Sequence, residues 1–416
     1  MRSVSAIKRA RKQATPVRLR VLRFRLRLGP TQAARCDFLR REAARVWNRC
    51  VELDRAWREA GLKLTAWALE KQLKAATARK AGGDFELAAN TTQAVVEAYV
   101  EAVERFRRRQ GAAERPPHRQ KAHFTVAWKA REIQPQGNRV ALACGRGRQP
   151  LVIPAFGLPW ERVRQVQLVY RHGDYWLHVT LAEPAPSQRA GDSAGRAAGG
   201  DQGEVHALTL STGDRHLVLV GRRLRSEWRL WHKVLARLQA LQSRCQKGSR
   251  RWRKLQAAKE RRLGRILRRI EHLECCIARH AVAWCLAHGV STLYVGDLGG
   301  IERRAQGRRH RQRMHFWRRA RLLRRLRQLA ARHGITVVVI PERGTSRTCP
   351  ACGAQHKPRG RVFACPNGHT AHRDVVGAVN ILALGLWGEL LPGRPLPREQ
   401  ETTYLRPDRQ KAALAA

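Results

Sequence analysis

The chain has 416 residues, 83 Lys and Arg against 32 Asp and Glu, a formal net charge of +51 and an apolar fraction of 43%. That apolar fraction supports packed cores and excludes a wholly disordered chain, and no apolar run of about 18 residues is present to form a transmembrane helix. A positive surplus of this size repels itself, so a polyanion is the expected partner. Nucleic acid is the first candidate, ahead of a heparin-like chain, an anionic membrane surface or mere arginine bias.

The length suggests roughly three domains. Residues 1–16, MRSVSAIKRARKQATP, read as a flexible basic arm without the apolar core of a secretory signal. VRLRVLRFRLRL, residues 17–28, alternates apolar residues with arginine and slips once at Val21-Leu22. The expected element is a half-buried strand with a bulge and one basic face carrying Arg20, Arg23, Arg25 and Arg27. Residues 31–116 read as helical, with Val95, Tyr99, Val103 and Phe106 as a core stripe. Strand patterns return over 117–186, where QVQLVY and YWLHVTLAE flank RHGD as a hairpin. The helical block is therefore an insertion into a β-rich domain made of 17–30 and 117–186. SQRAGDSAGRAAGG, 187–200, reads as a linker.

Beyond it, VHALTL and RHLVLV are joined by STGD as a second hairpin. Residues 225–289 read as two long basic helices broken at KGS (247–249). The strand STLYVGDL, an arginine-dense helix with twelve Arg between 303 and 327, and the strand ITVVVIPE follow. DVVGAVNILALGLWGELL is the last helix, and residues 391–416 read as a disordered Pro-rich tail. Credible contacts to a nucleic-acid backbone are the arginines of 17–28, then Arg250, Arg251, Arg253 and Lys254, then Arg318, Arg321 and Arg325. Trp228, Trp231, Trp252 and Trp317 lie among arginines and can stack bases, although helical spacing favours core roles.

Seven of the ten cysteines are scattered and read as core thiols of a reducing cytoplasm. The other three cluster. Cys349-Pro-Ala-Cys352 followed by Cys365 has the spacing of a zinc ribbon, in which two short loops each give two ligands to a tetrahedral ion. The second loop is CPNGH, so Gly368 stands where a cysteine is expected. His369 is the natural fourth ligand, with His356 and His372 as competitors. Such a closed site is structural.

Acidic residues are scarce. Between 291 and 380 there are only Asp297, Glu302, Glu342 and Asp374. Hydrolysis of phosphodiesters with two Mg²⁺ ions needs several hard carboxylate ligands converging on one spot. Asp201 opens a hairpin directly after the linker, Glu342 ends a parallel-type strand and Asp374 opens the last helix. Taken singly, they also suit a turn, a solvated strand end and a helix cap.

The order of Asp201-Gln-Gly, YVGDL (294–298), GTSRTCPACG (344–353) and HRDVVGAVNIL (372–382) resembles the TnpB family, transposon-encoded relatives of compact type V CRISPR effectors. FWRRARLLRRLRQLAARHGI (316–335) and GSRRWRK (248–254) are similar to that family's helices. The resemblance is specific over about 200–390 and looser over 17–186. It implies an α/β and α+β multidomain fold: an RNase H-like RuvC domain (201–342 and 373–390), a zinc ribbon (343–372), and an N-terminal β-barrel wedge carrying a helical recognition lobe. It implies a guide RNA, a double-stranded DNA target, two Mg²⁺ ions, a structural Zn²⁺ and a location at the prokaryotic nucleoid. The oligomeric state, monomer or dimer per RNA, stays open.

Asp201 and Asp374 match the family's first and third catalytic carboxylates, although Val376 and Gly377 replace the Asn and Ala that usually follow. The second does not match, since Gly296 stands where the family has Glu. Asp297, one step on, should face the other way. Two readings follow: Glu342 on the neighbouring strand replaces the missing acid, or the protein is an RNA-guided repressor that does not cut. A third is an RNA-independent DNA-binding transposase accessory protein.

Overall fold

The computed structural model describes residues 17–62, 65–77, 85–108, 119–145, 147–171, 173–184, 195–299, 307, 312, 314, 317–358 and 360–410. The expected basic arm and residues 187–194 of the expected linker lie outside them. The chain divides into two units, Met1–Ala185 and Pro186–Ala416.

The first unit opens with β1 (Val17–Arg25) and three helices, α1 (Pro30–Glu59), α2 (Ala66–Thr77) and α3 (Ala89–Arg108). Six strands follow: β2 (Val126–Lys129), β3 (Ile133–Gln136), β4 (Arg139–Leu142), β5 (Leu151–Pro154), β6 (Val163–Arg171) and β7 (Asp174–Pro184). The helices are thus inserted between β1 and the returning strands. Val95, Tyr99 and Val103 are buried in one core with Trp47 and Trp128. Among the described residues the strands form two separate sheets, β1-β7-β6-β2 and β3-β4-β5, and not one closed barrel.

β1 carries no bulge. It pairs with β7 residue for residue, from Val17 opposite Pro184 to Arg25 opposite Trp176. The slip in the apolar pattern is absorbed by leaving Leu19 and Val21 in solvent, 62% and 47% exposed. The period of two therefore splits the arginines. Arg23, Arg25 and Arg27 are exposed, whereas Arg20 falls on the opposite face and donates to Glu183 at 2.9 Å.

The second unit runs β8 (Arg196–Asp201), β9 (His206–Ser211), β10 (His216–Val220), α4 (Arg222–Ser243), α5 (Arg250–Ala287), β11 (Val290–Asp297), α6 (Arg319–Ala330) and β12 (Thr336–Pro341). β13 (Val362–Ala364), β14 (Thr370–His372), α7 (Arg373–Trp387) and β15 (Thr402–Leu405) complete it. Six strands make one mixed sheet of order β12-β11-β8-β9-β10-β15, in which β11 is parallel to both neighbours. Strand alternation sets its two faces. Leu217 and Leu219 pack with Ile266, Ile270 and Ile277 of α5, and Val218 between them packs with Val375 and Val379 of α7. α5 begins at the expected break, with the Ser249 hydroxyl accepting the Trp252 N–H at 3.2 Å.

Two expected boundaries move. Residues 196–200, whose Arg-Ala-Ala-Gly-Gly composition reads as linker, belong to the central strand β8. Small residues suit a strand buried under a helix, and Ala198 is fully buried. Asp201 accordingly closes a strand and does not open a hairpin. The tail is not wholly disordered either: β15 joins the sheet parallel to β10, from His216 opposite Thr402 to Leu219 opposite Leu405. Pro-rich flanks conceal its short TTYL pattern.

Arg321 and Arg325 of α6 do not face outward. Both donate to the buried Glu274 of α5, at 3.1 and 2.9 Å, and reach Glu271 as well. A buried carboxylate needs such partners, and they explain why two of the five arginines of α6 are structural. Arg318, Arg324 and Arg327 are exposed, as are Arg250, Arg251, Arg253 and Lys254 at the start of α5. Trp228 is buried beneath Arg321, whose guanidinium lies 5.6 Å from the ring centroid. No described helix is long and apolar enough to cross a membrane.

Candidate active site

Parallel strands bring their carboxyl ends to one edge of a sheet. Here β8, β11 and β12 end together: Val295 is level with Gly200 and Gly296 with Ile340. Asp201 at the end of β8 and Glu342 just past β12 thus flank the middle strand, and the residue between them is Gly296. A Cβ placed on Gly296 would lie 2.1 Å from Glu342 Oε2 and 3.0 Å from Glu342 Cβ. The glutamate occupies the space that a side chain at 296 would need. Asp297, as expected, is exposed and turned away, and its carboxylate accepts the Gly299 N–H at 2.9 Å.

Asp374 enters from the first turn of α7, over the same edge. Its Oδ2 lies 2.7 Å from His206 Nδ1 and accepts from Arg361 Nη1 at 2.5 Å. Among the described residues the three carboxylates do not gather within 4.8 Å of one another; the set around Asp374 that does is His206, His372 and Asp374. Burial pushes the Asp201 carboxyl up to about 7, and the nearby Asp374 adds to the effect. Burial also works against ionisation of Asp374, but the hydrogen bond with His206 and the Arg361 charge prevail and hold it below the usual aspartate range. The two aspartates are thereby driven apart, one an acid near neutrality and the other a carboxylate.

A stability effect follows from Asp201. Its folded carboxyl titrates above the ordinary aspartate value of 3.8, so its contribution is present at acid pH and lost as pH rises toward about 7. Without added divalent cation, Asp201→Asn is expected to be more stable than the native chain above pH 7, by up to about 4 kcal/mol. That advantage should vanish near pH 4 in thermal melts run across the range.

The four candidate ligands of the expected ribbon come together. Cys349, Cys352, Cys365 and His369 place one ligand atom each within 4.8 Å of the others, with Cys352 Sγ 3.3 Å from Cys365 Sγ and Cys349 Sγ 3.5 Å from His369 Nδ1. A backbone N–H from Ala354, with the neighbouring thiols and His369, brings the Cys352 thiol down to about 6, favouring the thiolate a metal requires. Three sulfurs and one imidazole are a zinc donor set. Gly368 has φ +78°, a conformation disfavoured for cysteine, and it is His369, one residue later, that joins the group. His356 is not in the group, and His372 belongs to the other one. Phe363 and Val376 complete a small core with Cys349 and Cys365, so the ribbon and α7 pack as one piece.

His206, Arg361 and Tyr404 were not singled out from the sequence. His206 follows Asp201 by five residues around the β8–β9 turn, a proximity that could have found it. Arg361 and Tyr404 gave no such signal, since one sits among many arginines and the other in the tail. Tyr404 of β15 is 46% exposed, with its ring 5.9 Å from His372 and 6.4 Å from His206.

Comparison with known proteins places these features together. Residues 320–381, from α6 through Glu342 and the ribbon to Asp374, match the family model described as Cas12f1-like, TNB domain. A TnpB-like protein, ORF457, of Acidianus two-tailed virus is 29% identical over 210 residues, 49% of this chain and 45% of that protein. The match therefore spans less than half of the curated relative's length. Among solved structures, the Cas12f1–sgRNA–target DNA complex is similar in fold, with a TM-score of 0.56 at 12% identity, covering 84% of this chain and 82% of that one.

Proposed function

We propose that this chain, a TnpB-family relative of compact type V effectors, is an RNA-guided DNA endonuclease with a rearranged RNase H-type centre formed by Asp201, Glu342 and Asp374. The observation that carries this reading is the space over Gly296, which the Glu342 carboxylate fills. Loss of an acid on the middle strand does not by itself call for an acid on its neighbour at the same edge, whereas replacement does. The donor chemistry suits Mg²⁺, which takes carboxylate oxygens. When bound, paired Mg²⁺ ions supply charge neutralisation for in-line attack of water on the phosphodiester.

The residues themselves do the rest. Asp201 and Glu342 present oxygen ligands from rigid strand ends on either side of β11. His206 and Arg361 fix the Asp374 carboxylate on α7 and keep it ionised. Exposed cations at Arg23, Arg25 and Arg27, at Arg250, Arg251, Arg253 and Lys254, and at Arg318 hold backbone phosphates without reading sequence. Sequence choice falls to base pairing with a guide, as the guide-and-target complex of the solved effector of similar fold supports. On this reading residues 17–30 and 117–186 form the wedge and 31–116 the recognition lobe. The nuclease domain is 195–342 with 373–390 and β15, and the ribbon 343–372 holds a structural zinc.

A guide-dependent repressor is the competing reading, favoured by the spread of the carboxylates and by the Arg361 guanidinium on Asp374. The purified protein should carry RNA, absorbing near 260 nm, and with a matched target should cut in Mg²⁺. Glu342→Gln should stop cutting and spare binding. Binding without cutting by the native chain would establish the repressor instead, and full cutting by Glu342→Gln would sink the rearranged centre.

A further inference from the structure

His206 begins β9, His372 ends β14 and Asp374 lies in the first turn of α7, yet their ligand atoms meet within 4.8 Å. Oxygen-only Mg²⁺ sites do not need imidazole. Two imidazoles and a carboxylate are the donor set of a first-row transition ion, with positions left open for water or phosphate. We propose that His206, His372 and Asp374 bind a divalent transition cation in preference to Mg²⁺, and that Arg361 holds that cation's place until it is loaded.

Two observations point to a cation there. The Arg361 guanidinium already supplies positive charge at the meeting point, 2.5 Å from Asp374 Oδ2 and 3.3 Å from His206 Nδ1. Its side chain is 43% exposed, so it can swing out toward solvent. Independently, His372 Nδ1 is buried and makes no hydrogen bond among the described residues. An imidazole nitrogen hidden from water without a partner is costly, and a metal would satisfy it. The proposal rests on the nuclease reading only in placing this ion at the cutting centre; the ligand set stands on geometry.

The test is Mn²⁺ binding by the zinc-loaded full chain in excess Mg²⁺, followed by electron paramagnetic resonance. Mn²⁺ is chosen because it does not compete for a thiolate ribbon. The native protein should retain Mn²⁺, and pulsed spectra should show directly bound imidazole nitrogen. His372→Gln and His206→Gln should each weaken binding by about tenfold or more and lose nitrogen signal, with an unchanged melting profile. Arg361→Gln should bind more tightly than the native chain. Displacement of Mn²⁺ by equimolar Mg²⁺, or spectra without nitrogen in the native protein, would overturn the site. Nitrogen-bound Mn²⁺ with no cutting of any guide-matched target leaves the cation site standing and removes the nuclease reading. Cutting in Mg²⁺ by a protein that never shows nitrogen does the reverse.

Discussion

Gly296→Glu combined with Glu342→Ala is expected to cut guide-matched DNA, while either substitution alone is not. The argument is one of shared space. β11 lies between β8 and β12, and the Cβ of any residue at 296 would meet the Glu342 carboxylate at 2.1 Å. Gly296→Glu alone drives two glutamates into one volume beside Asp201, displacing a ligand and crowding negative charge. Glu342→Ala alone leaves the edge without its second acid. Each loss removes a preorganised charge from the site and should cost on the order of 10²-fold or more in single-turnover cleavage. The pair together moves the carboxylate back to the middle strand without the carboxylate clash. Tight 3.0 Å approaches to the Cβ at 342 and to Ile381 Cδ1 remain and need only small shifts, so the double substitution should recover part of what the singles lose. Such non-additivity is what coupled neighbours show in a double-mutant cycle. A double variant as inactive as the singles, with target binding intact, would mean that the two positions do not serve one ligand.

Cys365→Ser is expected to release the ribbon's zinc, lower the melting temperature and abolish cutting. Structural zinc contributes about 10–16 kcal/mol to small zinc-dependent folds, comparable with or larger than the ~5–15 kcal/mol net stability of a whole domain. Among the described residues, the buried core here is Cys349, Phe363 and Cys365 with Val376 borrowed from α7, and a few half-buried side chains such as Ala371 and Leu396 pack on it. Its loss therefore reaches the helix that carries Asp374 and frees Arg361, which precedes β13. Zinc content by a chromogenic chelator, thermal melts and cleavage should all fall together. A Cys365→Ser protein that keeps zinc and cuts would remove the ribbon from any part in holding the site.

The sequence revealed those parts of the fold whose signals are local. The two hairpins, the helix break at Ser249, the strand ends at Asp297 and Pro341 and the first cysteine pair all depend on neighbours in the chain. The group of Cys349, Cys352, Cys365 and His369, which could hold a metal ion, was legible for the same reason. What escaped depends on distant partners. A residue-for-residue pairing with β7 overrode the apparent bulge in β1. Arg321 and Arg325 look like nucleic-acid contacts until Glu271 and Glu274 appear opposite them. β8 reads as linker because its small residues are chosen for a helix packed above them. The carboxylates at 201, 342 and 374 stood out by their scarcity and their places at element ends, with 201 and 374 also matched by the resemblance, but the two imidazoles around Asp374 come from β9 and β14 and had no common pattern.

β15 has a consequence for the order in which the molecule is made. A ribosome releases Asp201 first and Glu342 much later, then Asp374, and only after that the strand that closes the sheet beside β10 and brings Tyr404 against His206 and His372. Domains fold from the N-terminal end as synthesis proceeds. The cationic surfaces of this chain are therefore made while its last strand is still missing. On the nuclease reading, a nascent or truncated copy carries its cationic surfaces before β15 has closed the sheet beside β10.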